Sequence, residues 1–472
     1  MKVLFITSEA SPFAMTGGLG DVSSALPKAL CAQKIACRVV LPLYSDTPAD
    51  LREKMRFIAS FSVPVSWRQQ YCGLFEAKHG GVTYYLLDNE FYFRRPGLYG
   101  YYDDAERFAF LSRAALEMLP YVNFCPDVIH CNDWQTALAS VYYKLFYAGR
   151  GGYGNSKTLL TIHNIQYQGK YGMEILGDVF GLPEAAKSLV EYDGCINLLK
   201  GGVECADRVT TVSPTYACEI HNPFFSHGLH YILNDRSYKL SGIVNGIDVE
   251  NYDPSSDPCL EAPYSAEDPD GKAANKQALQ QKLGLARKPD IPLIGMVTRL
   301  VDHKGIDLVK YSFERLMRQE VQLAILGTGD WVYESYFDEM AQRYAGKFAF
   351  YKGFISSLAR KIYAGADLFL MPSLSEPCGL AQMIAMRYGT IPIVRKTGGL
   401  NDTVEDCGDG QGNGFTFVTY NADDMADAID RALMAYRQPT LWNELVARAM
   451  ISDHSWKRPA AQYISLYREM VK

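Results

Sequence analysis

Val3-Leu4-Phe5-Ile6-Thr7 begins a pattern that fixes the architecture of the first half of the chain. A short apolar run of this length predicts a buried strand. A Gly-rich turn at Gly17-Gly18 follows it, and then a helix over about residues 21–32 and a second apolar run over residues 37–43. The order strand, loop, helix, strand is typical of a parallel sheet covered by helices. Further strands of this sheet are predicted over residues 128–130, 158–162 and 208–212.

The second half of the chain repeats this alternation after a polar stretch. Asp253-Pro254-Ser255-Ser256-Asp257-Pro258 and the residues up to about Pro289 have a composition typical of a connection, which predicts a domain boundary near residue 250. A helix is predicted over residues 306–317, and from about residue 422 the chain is predicted to be helical, with breaks near Pro439 and Ser455-Trp456. The strands predicted in this half cover residues 293–297, 322–326, 348–351, 368–372 and 390–394.

The chain is therefore predicted to be an α/β protein with two doubly wound, Rossmann-like domains. At 472 residues it exceeds what one hydrophobic core usually supports. The predicted domains are residues 1–250 and residues 251–472, with the last helix packing back on the N-terminal domain. Ligands of doubly wound sheets bind beyond the carboxyl ends of the strands, so we expect the two domains to face each other across a deep cleft.

Composition excludes several classes of protein. Hydrophobic content of 48% and a net charge of −6 are ordinary for a soluble globular protein and argue against disorder and against a polyanion-binding protein, so nucleic acid is not an expected partner. The eleven cysteines are an odd number in a large chain without a CxxC pair, which favours reduced thiols. No apolar run approaches 18 residues and the N-terminus lacks the pattern of a signal peptide. We expect a cytoplasmic protein without membrane contact.

Two similar hexapeptides follow predicted strands in the two halves. Thr16-Gly17-Gly18-Leu19-Gly20-Asp21 lies after the first strand, and Thr397-Gly398-Gly399-Leu400-Asn401-Asp402 lies after the strand over residues 390–394. Glycines without a Cβ let backbone N–H groups approach a phosphate or sugar at a helix N-terminus. The G-x-G-x-x-G spacing of dinucleotide sites is missing. Each hexapeptide is either a plain tight turn or a loop that grips one end of a ligand.

Charged side chains also follow strands of the second half. Arg299 and Lys304 come after the strand over residues 293–297, where they are either a solvated pair or the partners of a diphosphate leaving group. Asp268-Pro269-Asp270 lies in the polar connection and makes no convincing metal site. Two cations would then replace a metal ion in stabilising the leaving group.

Two further motifs place chemistry at strand ends. His163-Asn164 follows the strand over residues 158–162, where the imidazole is either structural or faces a sugar. Ser375-Glu376-Pro377-Cys378-Gly379-Leu380 leaves an apolar strand and leads into a helix. Its carboxylate and the amides of residues 378–380 either form an acidic helix N-terminus or hold a ligand.

Together these segments closely resemble the bacterial glycogen synthases and plant starch synthases, a family of retaining glucosyltransferases with the two-domain GT-B fold. The resemblance spans almost the whole chain, and its motifs are highly specific. The segments that carry it are Ser8-Glu9-Ala10, residues 16–21, Gly97-Leu98-Tyr99-Gly100, residues 127–135, Thr161-Ile162-His163-Asn164, Val212-Ser213-Pro214, residues 244–248, Arg299-Leu300 with Lys304-Gly305, residues 376–380, and residues 388–394 leading into residues 397–400.

The resemblance implies roles for individual residues. Glu376 would contact the donor glucose near the reacting carbon, Arg299 and Lys304 would neutralise the nucleotide phosphates, and His163 would support the glucosyl group. Of the substrate-binding residues, Glu9 and Asp133 match positions near the acceptor, Gly18 and Asp21 line the donor loop, Gly379 and Leu380 supply backbone contacts, and Phe354 lies where an aromatic ring stacks on adenine. The remaining substrate-binding residues predicted are Thr16, Gly17, Asn164, Asn245, Cys378 and Thr397.

The activity that the resemblance implies is transfer of glucose from ADP-glucose to the non-reducing 4-hydroxyl of an α-1,4-glucan with retention of configuration. UDP-glucose is an alternative donor. The expected partners are the nucleotide sugar and the glucan, glycogen or starch, with no cofactor, no metal, no nucleic acid and no membrane. The resemblance does not predict an oligomeric state.

Two positions depart from the family pattern. Met15 occupies the place of the lysine that usually precedes Thr-Gly-Gly-Leu, and Leu374-Ser375 replaces the usual Arg-Phe before Glu-Pro-Cys-Gly-Leu. A thioether supplies no charge, so we expect weaker donor binding or a shifted substrate preference. These positions motivate an alternative, a weakly active or non-catalytic glucan-binding paralogue with a regulatory or scaffolding role. A third interpretation, transfer to a small sugar, is disfavoured by Gly97-Leu98-Tyr99-Gly100 and Asp133.

Overall fold

The structure, a computed structural model, describes residues 1–151 and 153–472 and divides into two compact units. Met1–Gly246 and Trp456–Lys472 form the first unit, and Ile247–Ser455 form the second. The assignment of residues 1–250 to an acceptor side and of residues 251–472 to a donor side stays a prediction.

A long mixed sheet forms the centre of the first unit. Its strand order is β12-β11-β7-β6-β1-β2-β5-β4-β3, and its neighbours are parallel except where β4 pairs with β5 and β3. A small antiparallel sheet of order β8-β10-β9 lies beside it. The strands are β1 (Lys2–Ile6), β2 (Ala36–Pro42), β3 (Arg56–Val65), β4 (Arg68–His79), β5 (Val82–Asp88), β6 (Val128–Asn132), β7 (Lys157–Ile162), β8 (Lys170–Tyr171), β9 (Glu191–Tyr192), β10 (Cys195–Asn197), β11 (Arg208–Thr211) and β12 (Leu240–Gly242).

Helices connect these strands. The helices of the first unit up to residue 246 are α1 (Gly18–Ala32), α2 (Ala49–Arg52), α3 (Glu90–Phe93), α4 (Asp104–Glu117), α5 (Leu119–Val122), α6 (Trp134–Tyr142), α7 (Ile175–Asp178), α8 (Lys187–Val190), α9 (Leu198–Cys205), α10 (Pro214–Glu219) and α11 (His230–Asp235). The apolar runs end up buried on both faces of the sheet: Val3, Leu4, Phe5 and Ile6 are all fully buried. This is the burial expected of a central parallel strand.

The second unit is built on one fully parallel sheet of order β15-β14-β13-β16-β17-β18. Its strands are β13 (Leu293–Val297), β14 (Gln322–Gly327), β15 (Phe348–Lys352), β16 (Leu368–Met371), β17 (Ile391–Arg395) and β18 (Phe415–Phe417). Its helices are α12 (Gly271–Lys282), α13 (Ile306–Arg318), α14 (Trp331–Arg343), α15 (Ser356–Gly365), α16 (Ala381–Arg387), α17 (Gly398–Thr403), α18 (Ala422–Tyr436) and α19 (Pro439–Ile451).

The last helix, α20 (Lys457–Met470), belongs to the first unit. Its Tyr467 hydroxyl forms a 2.7 Å hydrogen bond with Nδ1 of His130 on β6, and Tyr463 also contacts the His130 ring. Tyr463 and Tyr467 are almost fully buried in the core of that unit. The C-terminal segment therefore completes a core that begins with β1.

The bounds of the predicted strands are confirmed to within one or two residues. The predicted helix breaks near Pro439 and Ser455 are also confirmed. The interpretation of residues up to Pro289 as a plain connection is wrong, because α12 lies within that stretch. Asn275, Lys276, Leu279 and Gln280 of α12 are buried, so this polar stretch contains a helix that packs against α15 within the second unit. Among the described residues, no helix combines the length and apolar character needed to cross a membrane.

Candidate active site

Each sheet has a point at which the strand order reverses, and five of the predicted site residues, Glu9, Asp133, Arg299, Lys304 and Glu376, follow the strands that flank these points. In the first unit the reversal lies between β1 and β6, because successive strands are added outward on opposite sides of that pair. Chain segments that leave the carboxyl ends of two such strands diverge and open a crevice in which ligands bind. Glu9 follows β1 and Asp133 follows β6.

Glu9 is held by a hydrogen-bond cluster at the end of β1. Its carboxylate accepts bonds from the Thr16 backbone N–H, from the Thr16 hydroxyl at 3.1 Å and from the Tyr99 hydroxyl at 3.1 Å. The Tyr99 hydroxyl also lies 2.7 Å from the Ser8 hydroxyl. Glu9 is almost fully buried, and this burial raises the pKa of its carboxyl despite the bonds that oppose the shift. The cluster fixes where the loop leaves β1.

Asp133 has an unusual backbone. Its φ of 56° lies in the region that favours glycine, and its side chain does not cap α6, which it precedes. Instead Oδ1 accepts the backbone N–H of His163 at 2.7 Å and that of Asn164 at 3.3 Å. Burial raises the pKa of Asp133 to about 7. A non-glycine residue in such a conformation costs about 1–3 kcal/mol and is typical of functional sites.

The His163 ring is neutral and oriented. Its Nε2 lies 2.9 Å from Oδ1 of Asn132, and the Asn132 amide nitrogen donates to the Ile6 carbonyl, so the amide oxygen must accept. His163 therefore carries its proton on Nε2 and keeps Nδ1 as an acceptor. Burial lowers the pKa of His163 to about 3. The ring can accept a hydrogen bond from a hydroxyl but holds no charge at neutral pH.

The glycine loop of the first unit is open to solvent. Thr16, Gly17 and Gly18 are exposed, and a Cβ added at Gly17 would meet no atom within 4 Å. Asp21 lies in the first turn of α1. Asn245, next to the last residue of the segment Met1–Gly246, is buried, and its Oδ1 has no hydrogen-bond partner in the described part of the chain. A ligand could contact the exposed loop and donate a hydrogen bond to the unpartnered Asn245 Oδ1.

The second sheet reverses between β13 and β16, and a charged pair bridges the segments that follow them. Lys304 lies in a short 3₁₀ turn after β13, and Glu376 follows β16. Lys304 Nζ lies 2.7 Å from Glu376 Oε2, which also accepts the Ser373 hydroxyl at 3.0 Å. Glu376 is 6% exposed. Within residues 1–151 and 153–472, its Oε1 accepts no hydrogen bond and stays available to a ligand.

Arg299 is the second cation at this crevice. It lies two residues beyond the end of β13, and its side chain is exposed. In the part of the chain that the structure describes, its guanidinium has no ion pair or hydrogen bond. An unpaired guanidinium at the carboxyl end of a parallel sheet is suited to binding a diphosphate.

The two similar hexapeptides differ in burial. Thr397 is fully buried, whereas Thr16 is exposed. Gly398 has φ of 44°, and a Cβ there would clash with the Glu376 carbonyl oxygen. The Gly399 N–H donates to the same carbonyl at 3.2 Å. The hexapeptide of the second unit, residues 397–402, therefore packs against the backbone of the Glu376 loop and supports it.

The Glu376 loop ends in backbone amides. Gly379 has φ of 70°, and a Cβ there would lie 2.5 Å from Gln382 Oε1, so the turn requires glycine. In the described chain no acceptor receives the N–H of Gly379 or Leu380. Cys378, just before them, is buried. Phe354 follows β15 and is 65% exposed, as expected of a ring that stacks on a ligand.

Three supporting residues were not predicted as part of the site. Tyr99 holds Glu9, Asn132 orients His163, and Ser373 holds Glu376. Asn132 directly precedes Asp133, and Ser373 lies three residues before Glu376; these positions at strand ends were the signal available in the sequence. Among the described residues, no group of three or more His, Cys, Asp or Glu side chains is arranged to hold a metal ion. The eleven cysteines all lie in the described part of the chain, and none of them forms a disulfide.

Comparison with known proteins identifies the family. A model described as "Starch synthase catalytic domain" matches residues 2–235, and one described as "Glycosyl transferases group 1" matches residues 276–444. The glycogen synthase of Geobacillus thermodenitrificans is 50% identical over all of this chain and 98% of its own length. The chain belongs to the glycogen synthase and starch synthase family. The Clostridium perfringens member is 48% identical over all of this chain and 99% of its own.

Solved structures agree with this membership. The catalytic domain of starch synthase IV from Arabidopsis thaliana, bound to ADP and acarbose, has a TM-score of 0.93 and 36% identity and covers 99% of each chain. A sucrose-phosphate synthase from Thermosynechococcus elongatus, at 17% identity and a TM-score of 0.62, shares the fold. The predicted GT-B fold class is confirmed, and the comparisons give the non-catalytic alternative no support.

The structure also describes the two departures from the family pattern. Met15 is 49% exposed, and its Cγ would lie 2.5 Å from a Cβ at Gly20, so its side chain packs over the start of α1. Leu374 is fixed through its backbone, because its N–H donates to the His303 carbonyl and its own carbonyl accepts Nη1 of Arg395 at 2.8 Å. Another cation therefore lies next to the position at which the family usually has arginine.

Proposed function

We propose that this protein transfers glucose from ADP-glucose to the non-reducing 4-hydroxyl of an α-1,4-glucan, with retention of configuration and without a metal ion. The Lys304–Glu376 pair at the reversal point of the second sheet carries this proposal. It combines a cation for a leaving phosphate with a buried carboxylate for the sugar. The family membership and the ADP in the related starch synthase support the choice of donor.

Departure of the nucleotide diphosphate is the step that the second unit would assist. Negative charge grows on the bridging phosphate oxygen as the bond to the anomeric carbon breaks. Arg299 and Lys304 would neutralise this charge, and the amides of Gly379 and Leu380 would donate to phosphate or sugar oxygens. Phe354 would stack on the adenine ring.

The transferred sugar carries positive charge at the anomeric carbon in such a transition state. Glu376, fixed through Oε2 by Lys304 and Ser373, would present Oε1 toward the sugar. A carboxylate held by two partners needs little reorganisation during the reaction. Residues 251–472 would thus form the donor side of the enzyme.

Residues of the first unit would act on the sugar and the acceptor. The neutral His163 would accept a hydrogen bond from a glucosyl hydroxyl, and Asn164 and Asn245 would contact substrate. Glu9 and Asp133 would lie on the acceptor side, where a carboxylate can accept the proton of an attacking hydroxyl. The exposed loop formed by Thr16, Gly17, Gly18 and Asp21 would close on the donor.

Nucleotide release and chain elongation test the activity directly. Purified protein would be assayed with ADP-glucose or UDP-glucose, with and without glycogen, alongside Glu376→Ala. We expect glucan-dependent release of ADP, slower turnover with UDP-glucose, and almost no turnover in the variant. Absence of glucan-dependent turnover in the wild type would contradict the proposal. NMR of the new anomeric proton tests retention, and activity after treatment with a chelator tests independence from metal.

A further inference from the structure

A groove on the second unit lies outside the residues assigned above. It has a volume of about 720 Å³, within the range of about 300–1,000 Å³ that is typical of ligand sites. It runs between the N-terminal half of α13 and the start of α14, and we call it the α13–α14 groove. Its principal lining residues are Asp302, Asp307, Tyr311, Asp330, Trp331 and Tyr333. Among the described residues, none that line it belongs to the candidate active site.

Two large aromatic side chains of the groove face solvent. Trp331 is 74% exposed and Tyr311 is 82% exposed. Within the described ranges, neither ring has an aromatic neighbour, a cation over its face or a hydrogen-bond partner. Exposed apolar surface that is grouped in this way and rimmed by polar residues is typical of a binding site.

The charges around the rings limit what the groove can bind. Asp302, Asp307 and Asp330 contribute three negative charges, against one positive charge from Lys310. This balance repels phosphates and other polyanions. The Asp330 carboxylate accepts no hydrogen bond from the described chain, although Asp330 precedes α14. The carboxylates of Asp302 and Asp307 each accept one tyrosine hydroxyl, from Tyr333 and Tyr420 respectively, through Oδ1. Aromatic faces beside carboxylates that keep open acceptor positions suit a neutral ligand with apolar ring faces and many hydroxyl donors.

We propose that the α13–α14 groove is a second glucan-binding site that holds a segment of an α-glucan distant from the end being extended. The inference rests on the proposed function, since the polymer is then always present as a substrate. Trp331 and Tyr311 would stack on successive glucose rings, while the carboxylates accept their hydroxyls. A polymer held at two points binds more tightly than at either alone, because the second contact is intramolecular.

The double variant Trp331→Ala/Tyr311→Ala separates polymer binding from catalysis. Both side chains are exposed, so the thermal unfolding midpoint should not change. Cosedimentation with glycogen should show an affinity at least about tenfold lower, since linked binding typically raises affinity by about 10²–10⁴-fold. The kcat and KM for ADP-glucose, measured with a short linear maltooligosaccharide acceptor, should equal those of the wild type. Unchanged affinity for glycogen would overturn the proposal.

Trp67→Ala provides a matched control. Trp67 is 73% exposed, but the Arg68 guanidinium lies 4.6 Å from its ring centroid and its Nε1 donates to Asp178. The Trp67 ring is therefore already engaged by Arg68 and Asp178, and the variant should bind glycogen as the wild type does. Equal losses in this control and in the groove variant would contradict a specific site.

β-Cyclodextrin distinguishes the groove from the active site. This ring of α-1,4-linked glucose has no non-reducing end, so it cannot accept glucose. We expect it to displace wild-type protein from glycogen and to leave turnover on the short acceptor unchanged. Inhibition of short-acceptor turnover would place the ring in the active site and overturn the proposal. Glycogen binding without turnover would refute the proposed activity and not the groove.

Discussion

Arg299 and Lys304 are both cations beyond β13, but the structure gives them different partners. Arg299 is exposed and unpaired in the described chain, whereas Lys304 holds the buried Glu376. Arg299→Ala should therefore lower kcat by about 10²–10³-fold and leave the unfolding midpoint unchanged. Lys304→Ala should lose activity and also about 3–5 kcal/mol of stability, because it leaves a buried charge unpaired. Steady-state kinetics and thermal unfolding of both variants check this. Equal stability of the two variants would contradict the predicted difference.

The pKa of Asp133 predicts how stability depends on pH. Burial raises this pKa to about 7 in the folded state, while an aspartate in an unfolded chain titrates near about 3.9. The folded protein therefore binds the proton more tightly, and its stability falls as pH rises from about 4 to 7. Asp133→Asn removes this titration. The variant should gain about 2–3 kcal/mol relative to the wild type between pH 5 and pH 8. Unfolding curves at the two pH values measure the gain, and a constant difference would contradict the prediction.

Met15 tests whether the missing lysine matters. Met15→Lys places a charge on a half-exposed side chain at the start of the glycine loop. If this loop closes on the donor, the KM for ADP-glucose should fall about 2- to 5-fold, as expected of a partly solvated charge. Met15→Leu keeps the apolar volume without the charge and should leave KM unchanged. Equal KM values in all three proteins would exclude a phosphate-side role for this position.

At the scale of elements, the two hexapeptides allow one matched comparison. Gly17 has extended backbone and open space around a Cβ, whereas Gly398 would place a Cβ against the Glu376 carbonyl. Gly398→Ala should destabilise the second unit by more than about 1–3 kcal/mol. Gly17→Ala should fold normally, and any loss of turnover then reports on ligand contact at that loop. Thermal unfolding and ADP binding distinguish the two results. A destabilised Gly17→Ala would contradict this assignment.

Prediction of elements from the sequence succeeded where apolar runs ended at turn residues. β13, flanked by a proline and a polar loop, was predicted with its bounds. The antiparallel pairs β3–β4 and β4–β5 were missed because β4 mixes polar and apolar residues on both faces. The Gly80-Gly81 turn, with φ of 54° and 77°, joins β4 to β5 and is the hairpin signal that the sequence contained.

For the site, as for the elements, local sequence patterns predicted some features and missed those that depend on packing. Glu376, Lys304 and Arg299 were selected as site residues because their types and their place after strands suggest phosphate and sugar chemistry, and the structure places Lys304 against Glu376. The sequence did not distinguish the buried Thr397 from the exposed Thr16, because their local motifs are nearly identical. Only packing shows that one loop supports the Glu376 loop while the other is open to solvent.

At the scale of the whole chain, α20 (Lys457–Met470) belongs to a core that begins with β1 (Lys2–Ile6), at the opposite end of the sequence. Tyr467→Phe removes the hydroxyl that pairs with the buried His130, leaving a ring nitrogen without its partner. We expect a loss of about 1–3 kcal/mol and a lower unfolding midpoint of the first unit. Arg468→Ala, an exposed neighbour on the same helix, is the control and should have no effect. Equal midpoints for both variants would mean that the hydroxyl contributes nothing.

This return of the chain to its first unit affects folding during synthesis. When Gly246 leaves the ribosome, β1 to β12 are complete, but the surface that α20 covers is still bare. At about 5–20 residues per second, the second unit takes roughly 10–40 s to be translated before α20 follows. During that interval the first unit exposes apolar surface around His130 and depends on chaperones or on its own partial stability. Synonymous codon changes within residues 247–455 therefore have the capacity to alter yield without altering any residue of the enzyme.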